Sequence, residues 1–230
     1  MARPIHVVTV AGPPAVGKTS VLLKALRSAG SLRCGVAKFD CLNSLDARRY
    51  REAGIPALAG IAGNLCPDHY FVTNIENCLE WAQSQELDML LVESAGLCNR
   101  CAPHIREQMA VCVLDCLSGI DTPLKTGPML KLADMVLLTK ADLVSQAERE
   151  VFRYRVRQIN TRASVRFVNG LNGQGCDDLV SHWTSGNPCS RLEGSKPRFP
   201  MPTAVCSYCL GETRIGKERQ IGILKSLETP

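Results

Sequence analysis

The sequence predicts an α/β fold, a mostly parallel and doubly wound sheet, on three observations. Apolar runs of strand length alternate with helical patterns from residue 5 to about 184. The first of these runs feeds a glycine loop that opens directly into a helix. The chemically distinctive residues then fall just beyond strand ends, where ligands sit in such sheets.

Residues 5–10 are the first strand. The loop after it is Gly12-Pro13-Pro14-Ala15-Val16-Gly17-Lys18-Thr19-Ser20, the G-x-x-x-x-G-K-[ST] pattern of a phosphate-binding P-loop. Glycine lets the backbone turn tightly, so that successive N–H groups point into one concavity, and the following helix adds its positive end. Lys18 supplies a cation for the terminal phosphates and Thr19 a hydroxyl for Mg²⁺. That helix is expected to stop at Ala29-Gly30. The second strand, 33–39, ends at Asp40, and 45–54 reads as a short helix with a glycine C-cap. Residues 56–69, rich in Gly, Pro and Ala, read as a loop with one extended stretch at most, and 75–83 as an amphipathic helix. The run 88–93 is a buried strand ending at Glu93. Strands at 109–114, 134–138 and 164–168, with helices at 129–133, 145–160 and 176–183, complete a series of six strands. The helix at 145–160 carries Arg149, Arg153, Arg155 and Arg157, a basic face expected to be solvated.

Composition bounds the rest. In 230 residues aromatics make up only 5%, so aliphatic side chains must form the core. A net charge of +5 is too mild to argue for nucleic acid. No apolar run reaches the length of a membrane span, and no signal-like stretch precedes the first strand. A soluble, cytoplasmic protein without membrane or nucleic-acid partners is therefore expected. After residue 185 the chain turns irregular, with Pro188, Pro197, Pro200 and Pro202. The expected organisation is a nucleotide-binding domain at 1–185 and a linker with a small cysteine-containing extension at 186–230.

Twelve cysteines are unusual for such a domain. A P-loop protein works where thiols stay reduced, which argues against a disulfide framework. Cys34, Cys78, Cys112 and Cys176 lie in apolar stretches and read as plain buried residues. Cys98-Asn99-Arg100-Cys101 and Cys206-Ser207-Tyr208-Cys209 are C-x-x-C pairs and read as metal ligands. Together they could make one Cys₄ site, or Cys98 and Cys101 from two subunits could meet. His104, close to Cys101, reads as a loop histidine, with an extra metal ligand as the alternative.

Glu93 occupies the Walker B position, where a carboxylate holds the Mg²⁺ shell or orients the attacking water. Asp40 is a second carboxylate expected near the phosphates, as metal-shell ligand or base. Asp46 is a weaker candidate that could simply favour the start of its helix. Thr139-Lys140-Ala141-Asp142 resembles the base-reading motif of GTPases. A carboxylate at Asp142 can accept both the N1–H and the exocyclic amine of guanine, and the stem of Lys140 can lie over the base. Residues 169–173, Asn-Gly-Leu-Asn-Gly, stand where a second base-contacting loop belongs.

In order, the P-loop, Asp40, Cys66-Pro67-Asp68-His69, Val92-Glu93-Ser94-Ala95-Gly96, Asp121-Thr122-Pro123-Leu124-Lys125 and Thr139–Asp142 resemble the SIMIBI-class GTPases that insert nickel into hydrogenase and urease. The resemblance covers roughly residues 5–184. It implies a GTP-dependent homodimer, a slow hydrolase, that works with a client metalloenzyme or its other maturation factors. It also implies that Cys66 and His69 bind Ni²⁺ or Zn²⁺, although Asp68 is inserted where the family has a cysteine-proline-histidine or cysteine-histidine pair. The two C-x-x-C pairs depart from the family as well. They keep a second reading open, an ATP-dependent iron–sulfur reductase resembling the nitrogenase iron protein, with a [4Fe–4S] cluster. Against that reading stand Pro13-Pro14, where that group carries a lysine, and the guanine-type motif at Thr139–Asp142.

Overall fold

The computed structural model describes residues 2–96, 103–199, 213–216, 219 and 225–227. Seven parallel strands form one sheet in the order β3-β2-β4-β1-β5-β6-β7. They are β1 (His6–Ala11), β2 (Cys34–Asp40), β3 (Ala57–Ile61), β4 (Met89–Glu93), β5 (Met109–Asp115), β6 (Met135–Thr139) and β7 (Ser164–Phe167). The helices are α1 (Lys18–Arg27), α2 (Leu45–Glu52), α3 (Pro67–Ser84), α4 (Thr122–Thr126), α5 (Pro128–Lys131), α6 (Gln146–Ile159) and α7 (Leu179–Trp183).

Strand alternation sends neighbouring side chains to opposite faces. Val7, Leu90 and Val92 pack on α3, whereas Val8, Val10, Met89 and Leu91 pack under α1 and α7. Cys112, Leu114, Val136 and Leu138 lie against α5 and α6. Both faces are thus covered, which is why the central strands are apolar throughout. Cys34, Cys78, Cys112 and Cys176 are all buried, as expected.

Three boundaries depart from the sequence reading. Residues 56–69 are not chiefly loop: they hold edge strand β3 and the start of α3. Helix α3 begins at Pro67, capped by Cys66, well before residue 75. Every residue from Pro67 to Ile75 is buried, so this half of the helix has no polar face and hence no amphipathic period to detect. The last helix is shorter than 176–183, because turns at Gly173 and Gly175 take positive φ before it.

The described part of the C-terminal region packs on this domain. Cys189 bridges to Ile5 and Pro197 to Ile105, both antiparallel. Arg198 donates to the carbonyls of Gln108 (2.6 Å) and Leu132 (2.8 Å) and pairs with Asp134. Asn74 of α3 exchanges hydrogen bonds with the backbone of Lys225 (2.9 Å) and Leu227 (2.7 Å). Leu192, Ile215 and Leu227 join the core beside α3. Among the described residues no helix is long and apolar enough to cross a membrane.

Candidate functional site

The P-loop lies where the sheet order reverses, at the carboxyl end of β1 between β4 and β5. Its tight turn is fixed by contacts from both neighbours. A Cβ on Gly12, whose φ is +148, would sit 2.1 Å from the Val113 carbonyl oxygen of β5. A Cβ on Gly96, just after β4, would sit 1.7 Å from the Gly12 carbonyl oxygen. Only glycine permits these approaches. The Lys18 ammonium folds over the loop, donating to the carbonyls of Gly12 and Pro13, both at 2.8 Å, and of Ala95 at 3.4 Å. Burial, partly opposed by Glu93, pulls its pKa down to about 8.

Glu93 is fully buried beside the P-loop. Its Oε1 accepts from the Thr19 hydroxyl at 2.8 Å and from the Lys38 ammonium at 3.0 Å. Its Oε2 accepts from the Tyr50 hydroxyl at 2.7 Å. Lys38 also lies 3.7 Å from Asp40 and 3.6 Å from Asp46. Burial pulls the Lys38 ammonium down, but Glu93, Asp40 and Asp46 outweigh it and the net shift is upward. Burial raises Asp40, whereas on Asp46 the neighbouring Lys38 and Arg49 overcome burial and lower it. These groups line a cavity of about 600 Å³ together with the P-loop. Its oxygen donors, the Thr19 hydroxyl and the carboxylates, are the hard ligands that suit Mg²⁺.

The opposite end of the cleft lies beside β6. The Thr139 hydroxyl donates to the Val16 carbonyl at 2.6 Å and so joins β6 to the P-loop. Lys140 takes a left-handed φ of 55, and its ammonium reaches the Ala15 carbonyl (3.0 Å) and Asp115 (2.9 Å). Asp142 is exposed in the short 3-10 turn Ala141–Leu143. Lys140, Asp142, Asn169 and Leu171 line a second cavity of about 300 Å³. The Asn169 carboxamide oxygen accepts from the amides of Leu171 (2.8 Å) and Asn172 (3.1 Å), which curls that loop. Both cavities are lined by Ala15, Gly17 and Ser20, so they form one cleft along the start of α1. The cleft runs from Lys18 at one end to Asp142 at the other.

The structure thus brings together Lys18, Thr19, Asp40 and Glu93 at one end and Lys140 and Asp142 at the other. Cys66 caps α3 and His69 lies buried in its first turn, so the pair is helical rather than a loop. Among the described residues, no three His, Cys, Asp or Glu side chains gather to hold a metal. Cys98, Cys101, Cys206 and Cys209 lie outside the described residues. His104 lies in a loop, as expected, but out of solvent. It is fully buried, with Nδ1 2.9 Å from the Thr9 hydroxyl and Nε2 3.2 Å from the Met129 carbonyl. The basic face of α6 is only partly solvated: Arg149 is half-buried, and Arg153 pairs with Glu150 and stands over the Phe167 ring.

Sequence reasoning missed Lys38 and Tyr50. Lys38 had a signal, a lone cation inside the apolar strand 34–40 and two residues before Asp40, hence on the same face. Tyr50 had none, because an aromatic on a short helix is ordinary core.

The family model described as CobW/HypB/UreG, nucleotide-binding domain, matches residues 6–167. An uncharacterized protein of Methanocaldococcus jannaschii is 43% identical, over 97% of each chain. Hydrogenase maturation factor HypB of Escherichia coli K12 is 28% identical over 82% of this chain, which spans 66% of that factor's length. Among solved structures, HypB from Helicobacter pylori in complex with nickel superposes with a TM-score of 0.64 at 20% identity, over 79% of this chain and 86% of that one.

Proposed function

Because this chain belongs to the CobW/HypB/UreG nucleotide-binding family, we propose that it is a GTP-hydrolysing, metallochaperone-type switch that assists insertion of nickel, or of a related metal centre, into a client enzyme. One observation carries the switch. Ala95 and Gly96 lie directly on the P-loop and on Lys18, and they lead into the segment that contains Cys98 and Cys101. A γ-phosphate drawing Lys18 toward itself changes what the Ala95 carbonyl contacts, so nucleotide state reaches the cysteines through the chain itself.

In this reading the P-loop amides and Lys18 bind the phosphates, and Thr19, with Glu93 and Asp40 behind it, holds Mg²⁺. When bound, it would supply positive charge against that of the phosphates. Glu93 and Asp40 orient the water that attacks the γ-phosphorus, and Lys18 stabilises the charge that develops on the transferred group. Asp142 selects guanine, with Lys140 beside the base. Cys66, His69, Cys98, Cys101, Cys206 and Cys209 supply soft ligands for Ni²⁺ or Zn²⁺. The described residues that flank the two C-x-x-C pairs are neighbours, since the Arg198 amide donates to the His104 carbonyl at 2.7 Å. We assign 1–185 to the GTPase and 186–230 to a linker and cysteine-containing extension. The working form is a cytoplasmic homodimer that meets the client enzyme or its other maturation factors.

Anaerobic purification followed by metal and sulfide analysis, with and without GTP, tests this reading. Nickel or zinc without sulfide, with occupancy that changes on GTP binding, supports it. A brown protein with stoichiometric iron and sulfide overturns it in favour of an iron–sulfur ATPase. Competition of ATP against bound GTP tests the base assignment separately.

A further inference from the structure

The cavity beside the P-loop holds more carboxylates than a P-loop alone requires, namely Asp40, Asp46 and Glu93. Magnesium in such sites takes one or two carboxylates, together with waters and phosphate oxygens. Here Glu93, Asp40 and Asp46 all face the same point, and that point is the Lys38 ammonium, at 3.0, 3.7 and 3.6 Å. Lys38 is 3% exposed and Glu93 is 0% exposed, so neither charge is dissipated by water. All three carboxylates lie within 3.7 Å of the ammonium, and among the described residues no three His, Cys, Asp or Glu side chains gather to hold a metal.

We propose that Lys38 is a resident counter-cation of the nucleotide site, a positioning residue that neutralises the same carboxylates as Mg²⁺ and so makes nucleotide binding only weakly dependent on that ion. The inference rests on the nucleotide site proposed above, but not on guanine or on nickel. Without Lys38, a triphosphate would enter against three carboxylates balanced by Lys18 and by Arg49, which pairs with Asp46 at the cavity rim. Like charges in a partly buried cleft oppose binding. With Lys38 in place the repulsion is largely cancelled before any divalent ion arrives. The register of the sheet fixes this arrangement, because Lys38 of β2 pairs directly with Glu93 of β4. The Thr19 hydroxyl donates to the same Glu93 oxygen as the ammonium, so Lys38 reaches the phosphate site through an atom already at its edge.

Titration of fluorescent mant-GppNHp and mant-AppNHp, in excess Mg²⁺ and in EDTA, tests the proposal. The quantity read is the ratio of the two dissociation constants for each nucleotide. In the wild-type protein the ratio is expected to stay below about 10. In Lys38→Met it should rise on the order of tenfold or more, because the EDTA affinity falls while Mg²⁺ restores most of the loss. Lys38→Arg, which keeps the charge, should return the ratio toward the wild-type value. A wild-type ratio above about 100 overturns the proposal without any variant. So does a Lys38→Met loss that is equal with and without Mg²⁺, the result expected of a merely structural lysine. Tighter binding of the adenine analogue with an unchanged pattern of ratios would reject the guanine assignment and leave Lys38 in its role.

Discussion

The two ends of the nucleotide cleft are built on opposite principles. At the phosphate end, Lys18, Thr19, Lys38, Tyr50 and Glu93 are buried and interlocked, and each hydrogen-bonds to a partner within the protein. At the base end Asp142, Leu143 and Leu171 are exposed, and Asp142 has a free edge toward the cavity it lines. The phosphate end is therefore coupled to stability and the base end is nearly decoupled from it. Under the proposed function, this division holds the groups that would meet the phosphates in place before the ligand arrives, while the group that would choose the base costs the fold little.

The largest effect should come from breaking the buried network at its centre. Glu93→Ala leaves the Lys38 ammonium and the hydroxyls of Tyr50 and Thr19 without their shared acceptor. Loss of one partner of a buried ion pair costs about 3–5 kcal/mol, and urea denaturation of the nucleotide-free protein should show it. A loss below about 1 kcal/mol would mean that the two ends do not differ in the way described.

Next comes the support beneath the phosphate end. His104 pins β1 at Thr9, and burial, aided by the nearby Arg198, depresses its pKa from 6.5 to about 4. Between those values the unfolded chain binds a proton that the folded protein refuses, so stability rises with pH there. Stability should accordingly fall as the pH drops from 6.5 toward 4, by about 3 kcal/mol from this residue alone. His104→Gln should flatten that part of the pH–stability curve, and an unchanged slope would remove His104 from the account.

A smaller effect, confined to recognition, is expected at Asp142. Asp142→Asn should cut the preference for GTP over ATP by about 10–100-fold, since a buried recognition hydrogen bond to a charged group contributes about 1.5–3 kcal/mol. Its unfolding midpoint should match that of the wild type. The smallest effect should fall on the link between the two ends. Thr139→Val removes the 2.6 Å bond to the Val16 carbonyl and should lower stability by about 1 kcal/mol, read as a shift in denaturant midpoint.

Much of this architecture was legible in the chain. The P-loop, Glu93, Asp40 and Thr139–Asp142 could be found because each follows an apolar strand, and the parallel sheet collects all strand ends on one side. Strand β3 was obscured by its small residues, Ala57-Leu58-Ala59-Gly60-Ile61, which carry little strand signal. The start of α3 was obscured because a helix buried on all sides shows no period. Lys38 and Tyr50 escaped because their importance lies in what they touch.

Local chemistry in the sequence alone determined the fold class, the phosphate loop and the identity of the carboxylates near it. Those features depend on periodicity and on residues adjacent along the chain. Tertiary structure decided that Glu93 draws hydrogen bonds from α1, α2 and β2 at once, that Lys38 stands among three carboxylates, and that Gly96 lies on Gly12. Such facts depend on strand register and helix packing, which bring together groups tens of residues apart, and no local pattern encodes the distance between them.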